Sequence, residues 1–528
     1  MEIQLYDTTL RDGAQREGIS LSVVDKLNIA RKLDELGVHY IEGGWPGSNP
    51  KDSEFFSRAR ELNLASARLV AFGSTRRQGT RVEDDPGLAM LLQAQTGVVT
   101  LVGKTSARHV TDVLETTLEE NLKMVAESIS YLKSRGLVVF LDAEHFFDGY
   151  KDNPTYSIQA LKAACQAGAD ALVLCDTNGG SLPEEIARMV SEVKKATRAS
   201  VGIHAHNDAE LAVAVTLAAV QAGATQVQGT INGYGERCGN ANLCSIIANL
   251  KLKMGIACIS DEQLTRLVEV SRNISEIANL KPDAFLPYVG TSAFSHKAGL
   301  HVSALRKWAG SYQHIDPALV GNQPRMLVSE LAGRANIVER ARQIGVILPA
   351  RGPEAQELLE KVKLLESRGF QYENAEASFD LLVHRARPGY QKPFELIDFM
   401  VIVEKARRLG GMRNHDEMLS EAMVKVCVDG EVMHTAAEGN GPVNALDNAL
   451  RKALVKAYPG VSSIQLIDYK VRILDESTGT ESQVRVLIES SDGNRQWRTV
   501  GSSANIIEAS WLALADSLEY WLLDKRKS

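Results

Sequence analysis

From residue 1 to about 255 the chain alternates short apolar runs with longer stretches whose apolar positions recur every three or four residues. The short runs read as strands: IQLYDTTL, YIEGGW, RLVAFG, VVTLVG, VVFLDAEHF, ALVLCDT, SVGIHAHND and QVQGTINGYG. The stretches between them include LSVVDKLNIARKLDELG, LEENLKMVAESISYLKSRG and LPEEIARMVSEVKKAT, which carry the helical period. Several end in Gly, the residue helices favour just past their last turn. Strand–helix units at a spacing of roughly 30 residues are βαβ crossovers and imply parallel pairing. Eight in a row, without a long interruption, predict a closed (β/α)8 barrel over an open doubly wound sheet.

Each apolar run turns polar at its C-terminal end: Arg11 and Asp12, Glu42, Glu144, Asp176 and Thr177, His204 and His206. In a parallel barrel those ends share one face, where such barrels carry their active sites. His204 and His206 are two apart on a strand and so point the same way.

Beyond about residue 255 the pattern changes twice. Residues 256–345 read as helical and irregular and carry FSHKAGLHVSALRK and YQHIDPALVGN. A polar stretch at 346–372 reads as a linker helix. From 373 onward FDLLVHRA, FELIDFMVIVEK, MVKVCVDGEVMHTAAEG, IQLIDYKVRIL and SQVRVLIESSDGNRQWRTV read as strands, with helices at PVNALDNALRKALVKAYPG and NIIEASWLALADSLEYWLLD. Each helix follows a glycine-bearing turn, EGNGP or GSSAN. This is a duplicated strand-rich unit capped by a helix, a small α+β domain. The expected domains are 1–255, 256–372 and 373–528.

Composition narrows the class. The chain has 528 residues, 44% hydrophobic and 24% charged, as soluble globular proteins do. A net charge of −7 at this length argues against nucleic acid or an anionic membrane surface as the main partner. No signal peptide is expected before MEIQLYDTTL and no membrane span anywhere. The six cysteines include no CxxC pair, so free thiols in a reducing cytoplasm are expected.

Four separated stretches hold the candidate chemistry: Asp12 in DTTLRDGAQ, His204 and His206 in GIHAHND, and Asn240 in NGYGERCGNAN. A carboxylate, two imidazoles and an amide oxygen suit a divalent ion with positions left open for a substrate. Cys238, close to Asn240, is expected to pack rather than ligate. Glu42 is placed to hold the Arg11 guanidinium in a bidentate pair beside the metal, where it would stabilise an oxyanion or enolate. The alternative is a structural ion pair at the barrel mouth. Glu144 would relay protons or be a solvated surface acid. Thr177 would bind a substrate carboxylate or cap the helix near Leu182.

These motifs, with SHKAGLHVSAL, resemble the metal-dependent Claisen-condensing TIM-barrel enzymes: the isopropylmalate, citramalate and homocitrate synthases, with hydroxymethylglutaryl-CoA lyase as a cousin. YIEGGWPGSNPKDSEFF and FLDAEHFFDGYKDNP resemble the long citramalate synthase subgroup. The C-terminal domain resembles the amino-acid-binding regulatory domain that the lyases lack. The resemblance implies Asp12, His204, His206 and Asn240 as ligands of Mn, Mg, Co or Zn. It implies Arg11 on the keto oxygen, Glu42 orienting Arg11, Glu144 in acid–base work, and Gln15 and Thr177 at the substrate. His301 and Tyr312 would reach over the barrel mouth from the partner subunit of a homodimer. Ala14 stands where the family carries an acidic residue.

The implied reaction joins acetyl-CoA to pyruvate, giving (R)-citramalate and CoA on the way to isoleucine, with isoleucine as the expected allosteric effector. Condensation with 2-oxoisovalerate to 2-isopropylmalate is the alternative, since the two substrates differ by a few methyl groups. A retro-aldol lyase would not need the regulatory domain. A non-catalytic amino-acid sensor would not need four metal ligands and Arg11.

Overall fold

Eight parallel strands close on themselves in strict sequence order in the computed structural model. They are β1 Gln4–Asp7, β2 Tyr40–Gly44, β3 Arg68–Ser74, β4 Val98–Lys104, β5 Val138–Glu144, β6 Ala171–Asp176, β7 Val201–Ala205 and β8 Gln226–Gly229. β8 pairs back onto β1 from Gln4–Gln226 to Asp7–Gly229, which completes the ring. The structure describes residues 2–296, 301, 304–305, 307–326, 334–349, 352–405, 418–474 and 482–525. The KAGL segment at 297–300 that contributed to the family resemblance lies outside them.

The chain divides into two compact units, Met1–Phe294 with Ile315–Pro324, and Ser295–His314 with Arg325–Ser528. In the first, helices follow the barrel strands as the periodicity predicts. Val23–Leu36 illustrates why they start and stop where they do. Ser22 and Asp25 form a reciprocal capping box at its start, and Gly37 ends it at φ 87°. Its buried face of Leu27, Ala30 and Leu33 belongs to the main core of the unit. The barrel interior is filled separately. Tyr6 of β1 lies edge-on to Phe140 of β5 at 6.3 Å between centroids, a contact that two non-neighbouring strands make only across the lumen. Tyr40, Val70, Val98 and Ala171 complete that layer. It packs the barrel below the polar strand ends, so the barrel is a filled core rather than a pore.

The second unit contains the duplication. β9 Phe394–Lys405, β10 Met418–Val428 and β11 Glu431–Gly439 form an antiparallel sheet followed by the helix Pro442–Leu454. β12 Gln465–Ile473, β13 Val484–Ser491 and β14 Gln496–Ser503 repeat it before the helix Ile506–Lys525. The first strand of each copy breaks register at the same Leu-Ile-Asp sequence, between Leu396 and Asp398 and between Leu466 and Asp468. Asp429 and Gly430 turn the β10–β11 hairpin with φ of 50° and 85°, the left-handed pair a two-residue hairpin needs.

One element differs from its expected form. FDLLVHRA is not a strand: it lies in the helix Glu376–Arg385, where every residue from Ala377 to His384 is buried. A helix enclosed on all sides shows no amphipathic stripe, so its apolar run looks like a buried strand. No described helix is long and apolar enough to cross a membrane.

Candidate metal centre and active site

β1 is shorter than its apolar run. The Asp7 carboxylate accepts from Thr9 N and Thr9 Oγ1, both at 2.8 Å, and this side-chain turn ends the ladder. Arg11 and Asp12 therefore sit on the turn entering the short helix Gly13–Gln15, not on the strand. His204 lies on β7, and His206 follows its last residue, in an isolated antiparallel bridge with Asn240.

These four residues converge. His204 Nε2 stands 3.2 Å from Asp12 Oδ2 and 3.3 Å from His206 Nε2. Asn240 Nδ2 is 2.8 Å from Asp12 Oδ2. All four are buried. Among the described residues, Asp12, His204 and His206 are the one group of His, Cys, Asp or Glu with ligand atoms close enough to share an ion. Asn240 Oδ1 and His206 Nδ1 are buried without a hydrogen-bond partner. An unsatisfied buried oxygen beside a carboxylate and two imidazoles fits a divalent cation, which would satisfy the oxygen after a turn of the amide.

The loop carrying Asn240 is held by glycine. Gly235 has φ 154°, and a Cβ there would lie 2.5 Å from Asn240 Oδ1; at Gly239, φ 89°, one would lie 2.0 Å from Gly233 O. No other residue fits either place without moving the ligand.

Electrostatics agree with the cation. Burial opposes ionisation of Asp12, but the Arg11 guanidinium and the bond to His204 outweigh it and hold the carboxyl well below the usual carboxylate range. Burial, then the charge of His204, depress His206 to about 4, so it is a neutral ligand at ordinary pH. Burial also works against His204 protonation, but the Asp12 hydrogen bond and charge reverse that and raise its pKa. A bound cation would compete with that proton, since coordination needs the neutral ring.

Arg11 donates from Nε to Glu42 Oε1 at 2.6 Å and lies with its guanidinium carbon 3.9 Å from the centroid of the Phe72 ring. Glu42, fully buried on β2, also accepts from the Tyr6 hydroxyl at 2.5 Å. The pair is single-toothed, not bidentate, which leaves the rest of the guanidinium fork for another acceptor. Its Nη1 is 3.6 Å from Asp12 Oδ2. Arg11, Ala14 and Gln15 line a cavity of about 620 Å³ together with Leu10, Trp45 and Lys51.

Glu144, at the end of β5, pairs with Lys104 of β4. Thr177 does not cap the next helix: its Oγ1 accepts from the His145 backbone N–H at 2.9 Å, and its hydroxyl hydrogen can still donate to a substrate. His301 and Tyr312 lie in the second unit, their rings stacked at 4.0 Å.

Three further residues belong to this neighbourhood and were not picked out by motif, Tyr6, Phe72 and Gln228, and Asp142, from the unusual flank of Glu144, joins them. Asp142 and Gln228 are buried polar residues of β5 and β8; Asp142 breaks an apolar run, whereas Gln228 alternates with Gln226 and gave no such signal. Burial, then the charge of Glu42, push Asp142 up to about 7.

Comparison with known proteins gives the family. The HMGL-like family profile matches residues 2–274, the homocitrate synthase post-HMGL domain-like profile 288–369, and the LeuA allosteric (dimerisation) domain profile 373–522. The chain is 54% identical to an (R)-citramalate synthase of Geobacter sulfurreducens, across 98% of this chain and 97% of that one. It is 53% identical to one of Aquifex aeolicus, across 99% and 98%. A probable 2-isopropylmalate synthase of Methanopyrus kandleri is 32% identical over 96% of each chain. A hydroxymethylglutaryl-CoA lyase structure from Bacillus subtilis overlaps 53% of this chain and 95% of its own, at 20% identity and a TM-score of 0.46. The chain thus belongs to the HMGL-like family, in the branch of metal-dependent Claisen-condensing enzymes that holds the citramalate, isopropylmalate and homocitrate synthases.

Proposed function

We infer that the chain is an (R)-citramalate synthase: it condenses acetyl-CoA with pyruvate and hydrolyses the thioester, releasing CoA. The observation that carries this is identity above one half, end to end, with (R)-citramalate synthases, regulatory domain included. The lower identity to a probable 2-isopropylmalate synthase places the alternative substrate, 2-oxoisovalerate, second.

Asp12, His204, His206 and Asn240 would hold a divalent ion. Bound there, the ion supplies Lewis-acid polarisation of the 2-oxo acid. Arg11 then directs its free N–H groups at the keto oxygen, where negative charge develops as the acetyl carbon attacks, while Glu42 and Phe72 keep it from turning. Thr177 donates to the pyruvate carboxylate, and Gln15 borders the same cavity as Arg11. Glu144 takes part in proton abstraction from the acetyl methyl group, and the base acting with it would be the His301 that the partner subunit of a homodimer supplies, its ring stacked on Tyr312. Water cleaves the thioester, which drives the overall reaction forward.

The C-terminal duplicated unit is an allosteric domain by its family profile. We propose isoleucine as its effector, since citramalate leads toward it, and a homodimer as the working state. The test is product analysis. Acetyl-CoA and pyruvate should give (R)-citramalate and CoA in equal amounts. Equal consumption with a different product, or none, would overturn the assignment.

A further inference from the structure

His204 has two ring nitrogens, and only Nε2 faces the proposed ion. What its other nitrogen touches decides which one carries the proton. His204 Nδ1 lies 2.9 Å from Gln228 Oε1, and Gln228 Nε2 donates to Asp142 Oδ1 at 3.0 Å. The three side chains come from β7, β8 and β5, so the Gln228–Asp142 bond joins strands that do not pair and runs through the lumen. All three are buried, with Gln228 at 0% exposure and Asp142 at 3%.

We propose that Gln228 and Asp142 are positioning residues that hold His204 in the tautomer a metal ligand requires. This rests on the metal site proposed above. The reasoning is donor–acceptor arithmetic. Ionised, Asp142 can only accept, so its Oδ1 takes the amide N–H₂ end of Gln228. The reversed amide would set oxygen against oxygen. The Gln228 oxygen is therefore the end facing His204, and it can only accept. His204 Nδ1 must carry the proton, and Nε2 keeps its lone pair for the ion. The carboxylate thus acts on the ring through an amide, where many metal sites place the carboxylate directly on the histidine. Direct contact would put a second full negative charge against the ring, beside Asp12 and Glu42. The amide passes on orientation without that charge.

The experiment uses the full-length chain and Mn2+ alone, with free Mn2+ counted by electron paramagnetic resonance. Wild type, Gln228→Leu, Asp142→Asn and the double variant are compared. Gln228→Leu should weaken Mn2+ binding roughly 10- to 100-fold, the usual effect of losing such a partner. Asp142→Asn should weaken it by less, because an asparagine can present either end to Gln228. The double variant should be no weaker than Gln228→Leu alone, because both lie on one chain of bonds. In wild type loaded with diamagnetic Zn2+, 15N spectra should place the His204 proton on Nδ1 and the metal on Nε2, because the ion displaces the proton that Nε2 otherwise shares with Asp12. A purely packing role would leave both readouts unchanged. Wild type that binds no Mn2+ would defeat the metal site itself. Wild-type binding matched by both variants, or a proton found on Nε2, would overturn the relay and leave the metal site standing. Should Gln228→Leu not fold by circular dichroism, Asp142→Asn and the 15N spectrum decide on the same terms.

Discussion

Replacing Arg11 by lysine keeps the charge and removes the geometry. Arg11 spends Nε on Glu42 at 2.6 Å, rests its plane 3.9 Å from the Phe72 centroid, and has Nη1 within 3.6 Å of Asp12. A lysine ends in one nitrogen. If it pairs with Glu42 it cannot also meet a substrate oxygen, and it has no plane to lay on Phe72. Glu42 is fully buried, so its pull on that nitrogen dominates. The loss at the transition state should match removal of one oxyanion donor, about 10²–10³-fold in kcat, or about 2.7–4 kcal/mol. Stability should suffer less, because the Tyr6 hydroxyl still donates to Glu42 and the lysine still neutralises it. The assay follows CoA release at saturating metal, with kcat and the pyruvate KM measured separately and thermal melting as a control. Arg11→Ala should be only slightly worse in kcat and clearly worse in melting, since it strands a buried carboxylate. A lysine variant that keeps most of the wild-type kcat would refute the fork argument and leave Arg11 as a charge alone.

Asp12→Ala and His204→Ala should each abolish turnover with little change in melting, and chelator-treated wild type should be inactive until Mn, Mg, Co or Zn is restored; full activity after exhaustive chelation would contradict the ligand assignment. Thiol labelling of the native protein should modify exposed Cys238 first. Cys244 and Cys258, pushed up to about 12 and about 11 by burial, should react only on unfolding; early labelling of Cys244 would show that its surroundings are not closed. Calorimetry on the intact enzyme should show isoleucine binding, with leucine and valine weaker, and kinetics should show inhibition; heat from none of the three at millimolar concentration would remove the effector proposal.

The barrel was legible because eight evenly spaced strand–helix units follow one another without a long interruption. His204 and His206 were legible from their spacing on the seventh predicted strand together with Asp12 after the first and Asn240 after the eighth. The partners of these residues were not. Glu42 was expected to meet Arg11, but the Tyr6 hydroxyl that completes its bonding lies 36 residues away and is fixed only when β1 and β2 pair. Gln228 meets Asp142 across 86 residues and between strands that never touch, which only barrel closure determines. Lys104 pairs with Glu144 because the β4–β5 register sets them opposite each other. The helix Glu376–Arg385 was read as a strand because its burial on every side erases the periodicity that separates the two. Local pattern, in short runs, carries the path of the chain. Pairing across the lumen carries the chemistry around the ligands.

Substrate choice is the claim on which the rest depends, and one panel tests it. Acetyl-CoA is held saturating, the metal is supplied, and CoA release is followed with pyruvate, 2-oxobutyrate and 2-oxoisovalerate in turn, with the protein's own Cys238 signal subtracted. Pyruvate should give the highest kcat/KM, and 2-oxoisovalerate should trail by roughly 10- to 200-fold, the range that a missing or extra methylene or two produces in an apolar pocket. A higher kcat/KM for 2-oxoisovalerate than for pyruvate would make the chain an isopropylmalate synthase and contradict the account.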